Sequence, residues 1–287
     1  MAKQDVARLL ERVAELNTLP EVTQRILSIT EDPDSSARDL NEVLKHDMAL
    51  SAKLLRVVNS AFYGLPGRVS DLDRAIVLLG FQAVRNLAVA ATMASLFTGE
   101  GKNIPGFSAK RLWLHCIATA VTARNLVNVA GFRSLREEAF LAGVIHDIGI
   151  LVEYQFATDR FAQVASGLGT GKSLIQAESA VFEMTHQQIG QALAEVWKFP
   201  RNMQFVTGYH HKPMRLADEH RLLPVVVALA EHVADGCGFT FLESAVEAEP
   251  ADVAALCEVV NVGDKDLVAM RETLPAMVEQ ASGWLEV

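Results

Sequence analysis

The chain has 287 residues, of which 50% are hydrophobic and 21% are charged, so it has enough apolar material for a large buried core. Its formal net charge is −9 at pH 7. This acidic balance argues against a nucleic-acid-binding protein, because phosphate backbones are bound by clustered Lys and Arg. The cysteines are widely spaced without a CxxC pair, which predicts free thiols in a reducing cytosol: Cys116, Cys237 and Cys257.

The sequence shows no pattern typical of targeting or membrane insertion. Its N-terminal residues become polar at once and lack the short apolar core of a signal peptide. The most apolar stretch, residues 87–97, is only about half as long as a helix that spans a bilayer. We therefore predict a cytoplasmic protein that does not cross a membrane.

Apolar residues recur at spacings of three and four along almost the whole chain, and strand patterns are rare, which predicts an all-α fold. In the first third, helices are predicted to begin after Pro20, after a capping box formed by Ser36 and Asp39, near Asp47 and near Asp71. The apolar stripe of the first helix consists of Leu19, Val22, Ile26 and Ile29.

A boundary or hinge between two parts of the chain is predicted at residues 98–106, which combine three glycines, a proline and charged residues. The helix that begins near Asp47 is expected to end at Tyr63, and the most hydrophobic helix to span 81–97. The predicted units are an N-terminal helical subdomain at 1–98, a second helical subdomain at 107–240, and C-terminal helices at 241–287 that pack on the core. Later helices are predicted at 108–130, 134–153, 158–168, 173–184, 186–198, 201–211 and 219–235, with two more after a polar interruption at 247–250.

Several histidines and acids lie on helices that are otherwise apolar. His146 and Asp147 are adjacent near the end of one such helix, with Gly149 permitting tight packing. Neutral imidazoles and ionised carboxylates are good metal ligands, although neighbours on a helix reach one ion only from its side or end. Similar groups come from four further segments: His115, His186, the pair His210-His211, and Glu231. Burial of so many ionisable groups is costly unless they are paired or metal-bound, which predicts one convergent polar pocket.

Each of these residues also has a structural interpretation. A single histidine on an apolar face is more often a hydrogen-bonded core residue than a ligand. For His146-Asp147, a structural N–H to carboxylate pair and metal ligation are equally supported, and His210-His211 could be a polar helix end. Surface positions are expected for His46, His220 and His232.

The order of these motifs resembles that of a known superfamily. His115, then His146-Asp147, then a late acidic residue follows the H…HD…D pattern of the HD phosphohydrolases, and His186 with His210-His211 resembles the additional ligands of the HD-GYP branch. The first third is similar to the signature of HDOD proteins in three segments: Leu19-Pro20-Glu21-Val22, the run from Asp47 to Gly64, and Ala75 to Gly80. The resemblance covers about residues 15 to 235.

This resemblance implies an HDOD-type helical bundle followed by an HD-like helical bundle, working in bacterial signal transduction. It also implies a pocket for one or two divalent ions of Fe, Mn, Mg or Zn, with Asp147 as the catalytic candidate if the site is active. The expected metal ligands are His115, His146, Asp147, His186, His210, His211 and Glu231.

Two departures from the HD-GYP pattern affect the expected activity. The late acidic residue is Glu231, where an HD phosphohydrolase carries Asp. His211 is followed by Lys212, Pro213 and Met214 instead of an acidic residue and the Gly-Tyr-Pro motif. Both argue against cyclic-di-GMP hydrolysis in the HD-GYP manner.

Two functions remain open, and we favour the first. One is a regulatory module that senses a nucleotide or cyclic dinucleotide, or that meets a histidine kinase, diguanylate cyclase or receiver protein in trans. The alternative is a metal-dependent phosphohydrolase acting on a nucleotide or cyclic dinucleotide. Its phosphate could be neutralised by Lys172, Arg201 or Lys212. No binding to nucleic acid or membrane is expected.

Overall fold

A computed structural model describes residues 21–31, 35–60, 63–97, 103–168, 171–243 and 252–282. Within these ranges the regular structure is helical, with one isolated antiparallel bridge between Phe107 and Leu242. The all-α prediction is therefore confirmed. The predictions for Leu19, Pro20, most of the 98–106 boundary and the 247–250 interruption lie outside the described residues.

The described residues form α-helices joined by turns, loops and 3-10 helices. In chain order they are α1 (Glu21–Glu31), α2 (Ala37–Lys45), α3 (Met48–Val58), α4 (Leu72–Leu79), α5 (Phe81–Phe97), α6 (Ala109–Val129), α7 (Arg136–Ile145), α8 (Ile148–Phe156), α9 (Thr158–Leu168), α10 (Leu174–Phe182), α11 (His186–Val196), α12 (Arg201–Tyr209), α13 (Leu222–Gly236), α14 (Val253–Val260) and α15 (Asp264–Ser282). Short 3-10 helices lie at Arg133–Leu135, Pro213–Arg215 and Asp218–His220.

Local hydrogen bonds explain where the N-terminal helices begin and end. The predicted capping box of α2 is present, because the Asp39 carboxylate accepts from the Ser36 backbone N–H at 2.8 Å. Helix α3 ends at Val58, earlier than predicted. The reason is Asn59, whose side chain accepts from the Val69 N–H at 2.7 Å and donates to the Val69 carbonyl at 2.9 Å, turning the chain out of the helix.

Helix α6 lies at the centre of the C-terminal half and packs against α7, α13 and α15. Helix α5 belongs to the N-terminal bundle, where it contacts α1, α3 and α4, and it also packs against α7. The buried apolar residues of both halves form one continuous cluster. The proposed division into subdomains at 98 and 107 remains a prediction.

A partly buried polar contact also joins the two halves. The Tyr63 hydroxyl donates to Glu137 Oε2 at 2.9 Å, and Arg124 Nε donates to Glu137 Oε1 at 3.0 Å. The Arg124 guanidinium lies over the Tyr63 ring, 4.9 Å from its centroid. Burial and the negative charge of Glu137 raise the pKa of Tyr63 well above its usual value, so its hydroxyl remains a donor. The N-terminal half is thereby attached to α6 and α7, two of the helices that carry the predicted ligands.

The cysteines and the most apolar helices agree with the composition. The thiols of Cys116, Cys237 and Cys257 are free. Within the described ranges, one helical stretch, Arg133–Phe156, is long and apolar enough to span a membrane, but 89% of its apolar window is buried inside the protein. This burial is typical of a core helix.

Candidate metal centre

The structure brings all seven predicted site residues into one cluster in the C-terminal half. They come from the middle of α6, the junction of α7 and α8, the first turn of α11, the end of α12 and the middle of α13. Five of them are at most 2% exposed, whereas His211 is 20% and Glu231 is 14% exposed. The cluster is therefore closed on most sides and opens at these two residues.

The predicted helix at 134–153 is divided at the two residues that carry its chemistry. Helix α7 ends at Ile145 and α8 begins at Ile148, with Asp147 between them at φ −99° and ψ 21°. This break turns the His146 and Asp147 side chains toward the same cluster, which a continuous helix would do less well because neighbouring side chains diverge by about 100°.

Two glycines beside this junction allow the helices to approach closely. A Cβ on Gly143 would lie 2.4 Å from the Ala120 Cα, so its absence lets α7 reach α6. A Cβ on Gly149 would lie 2.0 Å from the His186 carbonyl oxygen, so its absence lets α8 reach the start of α11. The tight packing expected at Gly149 is confirmed. Both contacts bring histidines of other helices next to Asp147.

The first group of potential ligands consists of His115, His146 and Glu231, whose donor atoms lie within 4.8 Å of one another. The Nε2 atoms of His115 and His146 are 3.2 Å apart. Two imidazoles and one carboxylate form a donor set suited to a divalent transition metal.

The second group consists of His186, His210 and His211, whose donor atoms also lie within 4.8 Å of one another. The Nε2 atom of His186 is 3.3 Å from that of His210 and 3.1 Å from that of His211. His210 follows the last residue of α12, and His211 is the next residue, so the end of this helix directs two imidazoles into one position.

Asp147 lies between the two groups and faces both. Its Oδ2 is 3.5 Å from His115 Nε2 and 3.3 Å from His146 Nε2. Its Oδ1 is 3.6 Å from His186 Nε2 and 3.4 Å from His210 Nε2, and has no hydrogen-bond partner. A buried oxygen without a donor is costly, whereas a carboxylate that bridges two ions would use both oxygens.

The second nitrogen of four imidazoles is held by a hydrogen bond. The Nδ1 atom of His115 donates to the Phe239 carbonyl (2.7 Å), that of His146 to the Gly143 carbonyl (2.7 Å), and that of His210 to the Val206 carbonyl (3.0 Å). In His186, Nδ1 donates to the Glu178 carboxylate at 2.8 Å. Because these acceptors require a proton on Nδ1, the Nε2 atoms that face the cluster are available as ligands. The donor set therefore fits divalent metal ions.

The charges of the cluster are arranged around Asp147. Burial favours its neutral form, but the charge of His146 and interactions of the His115 and His146 rings with Oδ2 hold the pKa of Asp147 well below its usual value. Burial opposes protonation of His115 and His186 too. Nearby acids outweigh it, so the pKa of His115 lies well above its ordinary value and that of His186 is about 9. Because a metal ion binds the deprotonated nitrogen of an imidazole, an entering ion would compete with protons for these two side chains.

Glu231 provides a pH-dependent prediction for the metal-free protein. Burial raises its pKa to about 7, so the folded state binds a proton more tightly than the unfolded state does. The resulting stabilisation is fully present below the unfolded pKa, roughly 4.3, and is lost as pH rises through about 7. We therefore expect Glu231→Gln, which stays neutral, to become more stable relative to wild type as pH increases from 4.5 to 8. Denaturant unfolding across this range measures the difference, and a constant difference would contradict the raised pKa.

Two acids beside the cluster, Glu178 and Asp235, were not predicted as site residues from the sequence. Glu178 is fully buried on α10, and Asp235 on α13 places its Oδ1 3.4 Å from His115 Nδ1 while remaining 30% exposed. A lone acid within the apolar segment 174–182 is compatible with a buried and with a solvent-facing position, so the sequence indicates neither its burial nor the ligand that it contacts.

The cationic residues considered for phosphate binding are all exposed: Lys172, Arg201 and Lys212. Arg201 lies over the Phe205 ring at 5.3 Å. Of the histidines expected at the surface, His46 is exposed, whereas His220 and His232 are half-buried.

Comparison with known proteins agrees with the helical architecture. The chain is similar to a candidate phosphohydrolase from Shewanella amazonensis SB2B at 25% identity and a TM-score of 0.74, over 96% of this chain and 97% of that one. It shares its fold with an HDOD domain protein of unknown function from Geobacter sulfurreducens, at 21% identity and a TM-score of 0.79, over 98% and 100% of the two chains.

A curated relative is longer than this chain. An uncharacterized protein of Treponema pallidum (strain Nichols) is 24% identical over 227 residues, which are 78% of this chain and 43% of that protein. This chain thus spans less than half the length of that relative.

The family itself is identified by a match over most of the chain. The family model for the HDOD domain matches residues 16–213, a range that contains six of the seven predicted ligands. The seventh, Glu231, lies beyond its end. The protein therefore belongs to the HDOD domain family.

Proposed function

We propose that this protein is a regulatory HDOD protein of bacterial signal transduction whose HD-like half binds two divalent metal ions. One ion would be held by His115, His146 and Glu231, and the other by His186, His210 and His211. Asp147 would contribute one carboxylate oxygen to each. Membership of the HDOD family supports a regulatory or HD-like role.

The position of Asp147 is the observation that carries the proposal. Both of its oxygens lie 3.3 to 3.6 Å from imidazole nitrogens, and the two oxygens face different groups. A structural His–Asp pair would need only one oxygen and one imidazole. The arrangement of two three-residue groups around one carboxylate is instead suited to a pair of ions.

The residues of the chain would hold, orient and shield the ions. Backbone carbonyls fix the rings of His115, His146 and His210, and Glu178 fixes that of His186. A divalent metal supplies a Lewis acid that polarises phosphoryl oxygens and lowers the pKa of water. Burial of the ligands keeps bulk water away from the side of the centre that faces α6, α7 and α11.

A metal-dependent phosphohydrolase is the second candidate function, and the exposed edge of the cluster favours it. His211 and Glu231 are 20% and 14% exposed and belong to different groups, so a small phosphoester could approach both positions from this side. Similarity to a candidate phosphohydrolase supports the same idea. A nucleotide or cyclic dinucleotide is the proposed substrate.

As a regulatory protein, it would act in the cytoplasm on a partner in trans. The proposed partner is a histidine kinase, diguanylate cyclase or receiver protein, in keeping with the signalling role that the family resemblance implies. A bound nucleotide or cyclic dinucleotide would act as a signal in this case and as a substrate in the other.

Metal analysis and turnover assays test the proposal together. We expect two ions per chain in protein purified without added ions. The same content is expected in protein treated with chelator and then supplied with Mn, Fe, Zn or Mg. Turnover of a generic phosphodiester, cyclic-di-GMP and nucleotides is then measured before and after chelation. Two ions without turnover support the regulatory function. Turnover that disappears with chelation and returns with metal supports the phosphohydrolase, and the absence of ions under every condition would contradict both.

A further inference from the structure

Glu178 is a buried carboxylate that contacts a ligand of the proposed metal centre without belonging to it. It lies on α10, is 0% exposed, and accepts from His186 Nδ1 with Oε1 at 2.8 Å. Its Oε2 accepts from the His186 backbone N–H at 3.0 Å. One carboxylate therefore holds both the ring and the backbone of the same ligand.

This double contact lies at the start of a helix. His186 is the first residue of α11, so its N–H has no acceptor inside the helix and the positive end of the helix dipole faces the carboxylate. Glu178 satisfies that donor and fixes the ring with Nε2 toward His210 and His211. The orientation of the ring is determined by two bonds to one side chain.

The other ligands are held differently. His115, His146 and His210 donate from Nδ1 to backbone carbonyls, which are neutral acceptors. Asp235 Oδ1 is also 3.4 Å from His115 Nδ1, but Asp235 is 30% exposed and that nitrogen already donates to the Phe239 carbonyl at 2.7 Å, so Asp235 holds its ring less closely than Glu178 holds that of His186. A buried carboxylate increases the basicity of the imidazole that it contacts more strongly than a carbonyl does.

We infer that Glu178 is a positioning residue that selectively strengthens the ion held by His186, His210 and His211, so that the two metal positions differ in affinity. This inference rests on the proposed function, since it requires that both positions bind metal. Removal of the Glu178 charge should weaken this one ion, with little effect on the ion held by His115, His146 and Glu231.

Glu153 offers a matched control. It is also 0% exposed, on α8, and neither of its oxygens has a hydrogen-bond partner. Burial and the charges of Glu178 and Asp147 raise the pKa of Glu153 well above its usual value. Glu153→Gln is therefore the same substitution in the same buried region, without a bond to a ligand.

The experiment measures the two dissociation constants by competition of Co²⁺-loaded full-length protein with a chelator. We expect Glu178→Gln to weaken one ion by ~10–100-fold, the range typical of a lost contact behind a ligand, and Glu153→Gln to change neither. A glutamine cannot replace the carboxylate, because its single oxygen can accept from Nδ1 or from the backbone N–H, but its amide nitrogen accepts from neither.

A second pair of variants identifies which ion is affected. In a His211→Ala background the ion of that group is already weakened, and the ion held by His115, His146 and Glu231 remains. Adding Glu178→Gln should have little effect on the dissociation constant of this remaining ion. In a Glu231→Gln background the remaining ion should be weakened by the full factor. Equal weakening of both ions, or no weakening, would overturn the inference, whereas a wild type without metal would contradict the proposed function instead.

Unfolding of the metal-free protein separates positioning from general stability. If Glu178→Gln fails to fold, Glu178→Asp retains the charge and is used in the same competition. We expect Glu178→Asp to weaken the ion held by His186, His210 and His211 by a smaller factor than that given above for Glu178→Gln, and to leave the other ion unchanged. If neither dissociation constant changes, the inference is contradicted.

Discussion

Gly149→Ala is expected to lower the free energy of unfolding by about 2 kcal/mol or more, although alanine is the better helix former. The added Cβ would lie 2.0 Å from the His186 carbonyl oxygen, 2.7 Å from its carbonyl carbon and 3.0 Å from the Gly190 nitrogen. All three are backbone atoms, so no change of rotamer relieves the contact. Overpacking typically costs 1–3 kcal/mol, roughly, whereas helix propensity returns at most about 1 kcal/mol.

Gly167→Ala is the matched control. Gly167 is the last residue but one of its helix, α9, as Gly149 is the second residue of α8. Among the described residues, a Cβ on Gly167 would meet only the Ala177 Cβ at 3.7 Å, an ordinary contact. We expect this variant to be as stable as wild type or more stable by up to about 1 kcal/mol. Denaturant unfolding of the metal-free proteins measures both changes. Equal stabilities of the two variants would show that α8 and α11 do not approach as closely as the structure has them.

Gly149→Ala should also weaken metal binding at the proposed centre, because the added Cβ pushes α11 away from α8. His186 is the first residue of α11, and its Nε2 lies 3.6 Å from Asp147 Oδ1. Displacement of His186 would affect the group that contains it first. Metal analysis of Gly149→Ala is therefore expected to show loss of one ion at chain concentrations where wild type holds both.

The sequence predicted the members of the site better than their arrangement. His115, His146-Asp147, His186 and His210-His211 stand out because ionisable residues are rare on buried apolar helices. Spacing along one chain does not show which side chains meet across helices, so the bridging position of Asp147 became evident only in the fold. Gly149 was recognised as a packing residue, but its partner on α11 is 37 residues away in sequence and could not be predicted from local pattern.

The role of Glu178 could not be predicted from its surroundings in the sequence. An acid in a short apolar helix is as compatible with a solvent-facing position as with a buried one, since one helix face is usually exposed. Its burial follows from the packing of α10 against α9 and from the start of α11 lying above it. Helix ends were similarly misjudged where side chains turned the chain, as Asn59 does after α3.

Asp147→Asn is expected to have the largest effect on metal content, since it should remove both ions. Each oxygen of Asp147 faces a different group, and an amide retains one oxygen while replacing the other by a nitrogen that donates. The loss of charge weakens both positions together. We expect each dissociation constant to rise by at least ~100-fold, more than for a residue behind a ligand. His211→Ala should instead remove a single ion, because His211 belongs to one group.

The metal-free form of Asp147→Asn provides an independent measurement. Because the folded-state pKa of Asp147 is held well below its usual value, its ionised form stabilises the fold above the unfolded pKa, and this contribution is lost as pH falls. Wild type should therefore exceed Asp147→Asn in unfolding free energy at pH 7, with the difference decreasing in acid. A variant that keeps one ion would show that Asp147 belongs to one position only. A variant that keeps both would rule out a bridging carboxylate, and the two groups would then have to bind metal through their imidazoles and Glu231 alone.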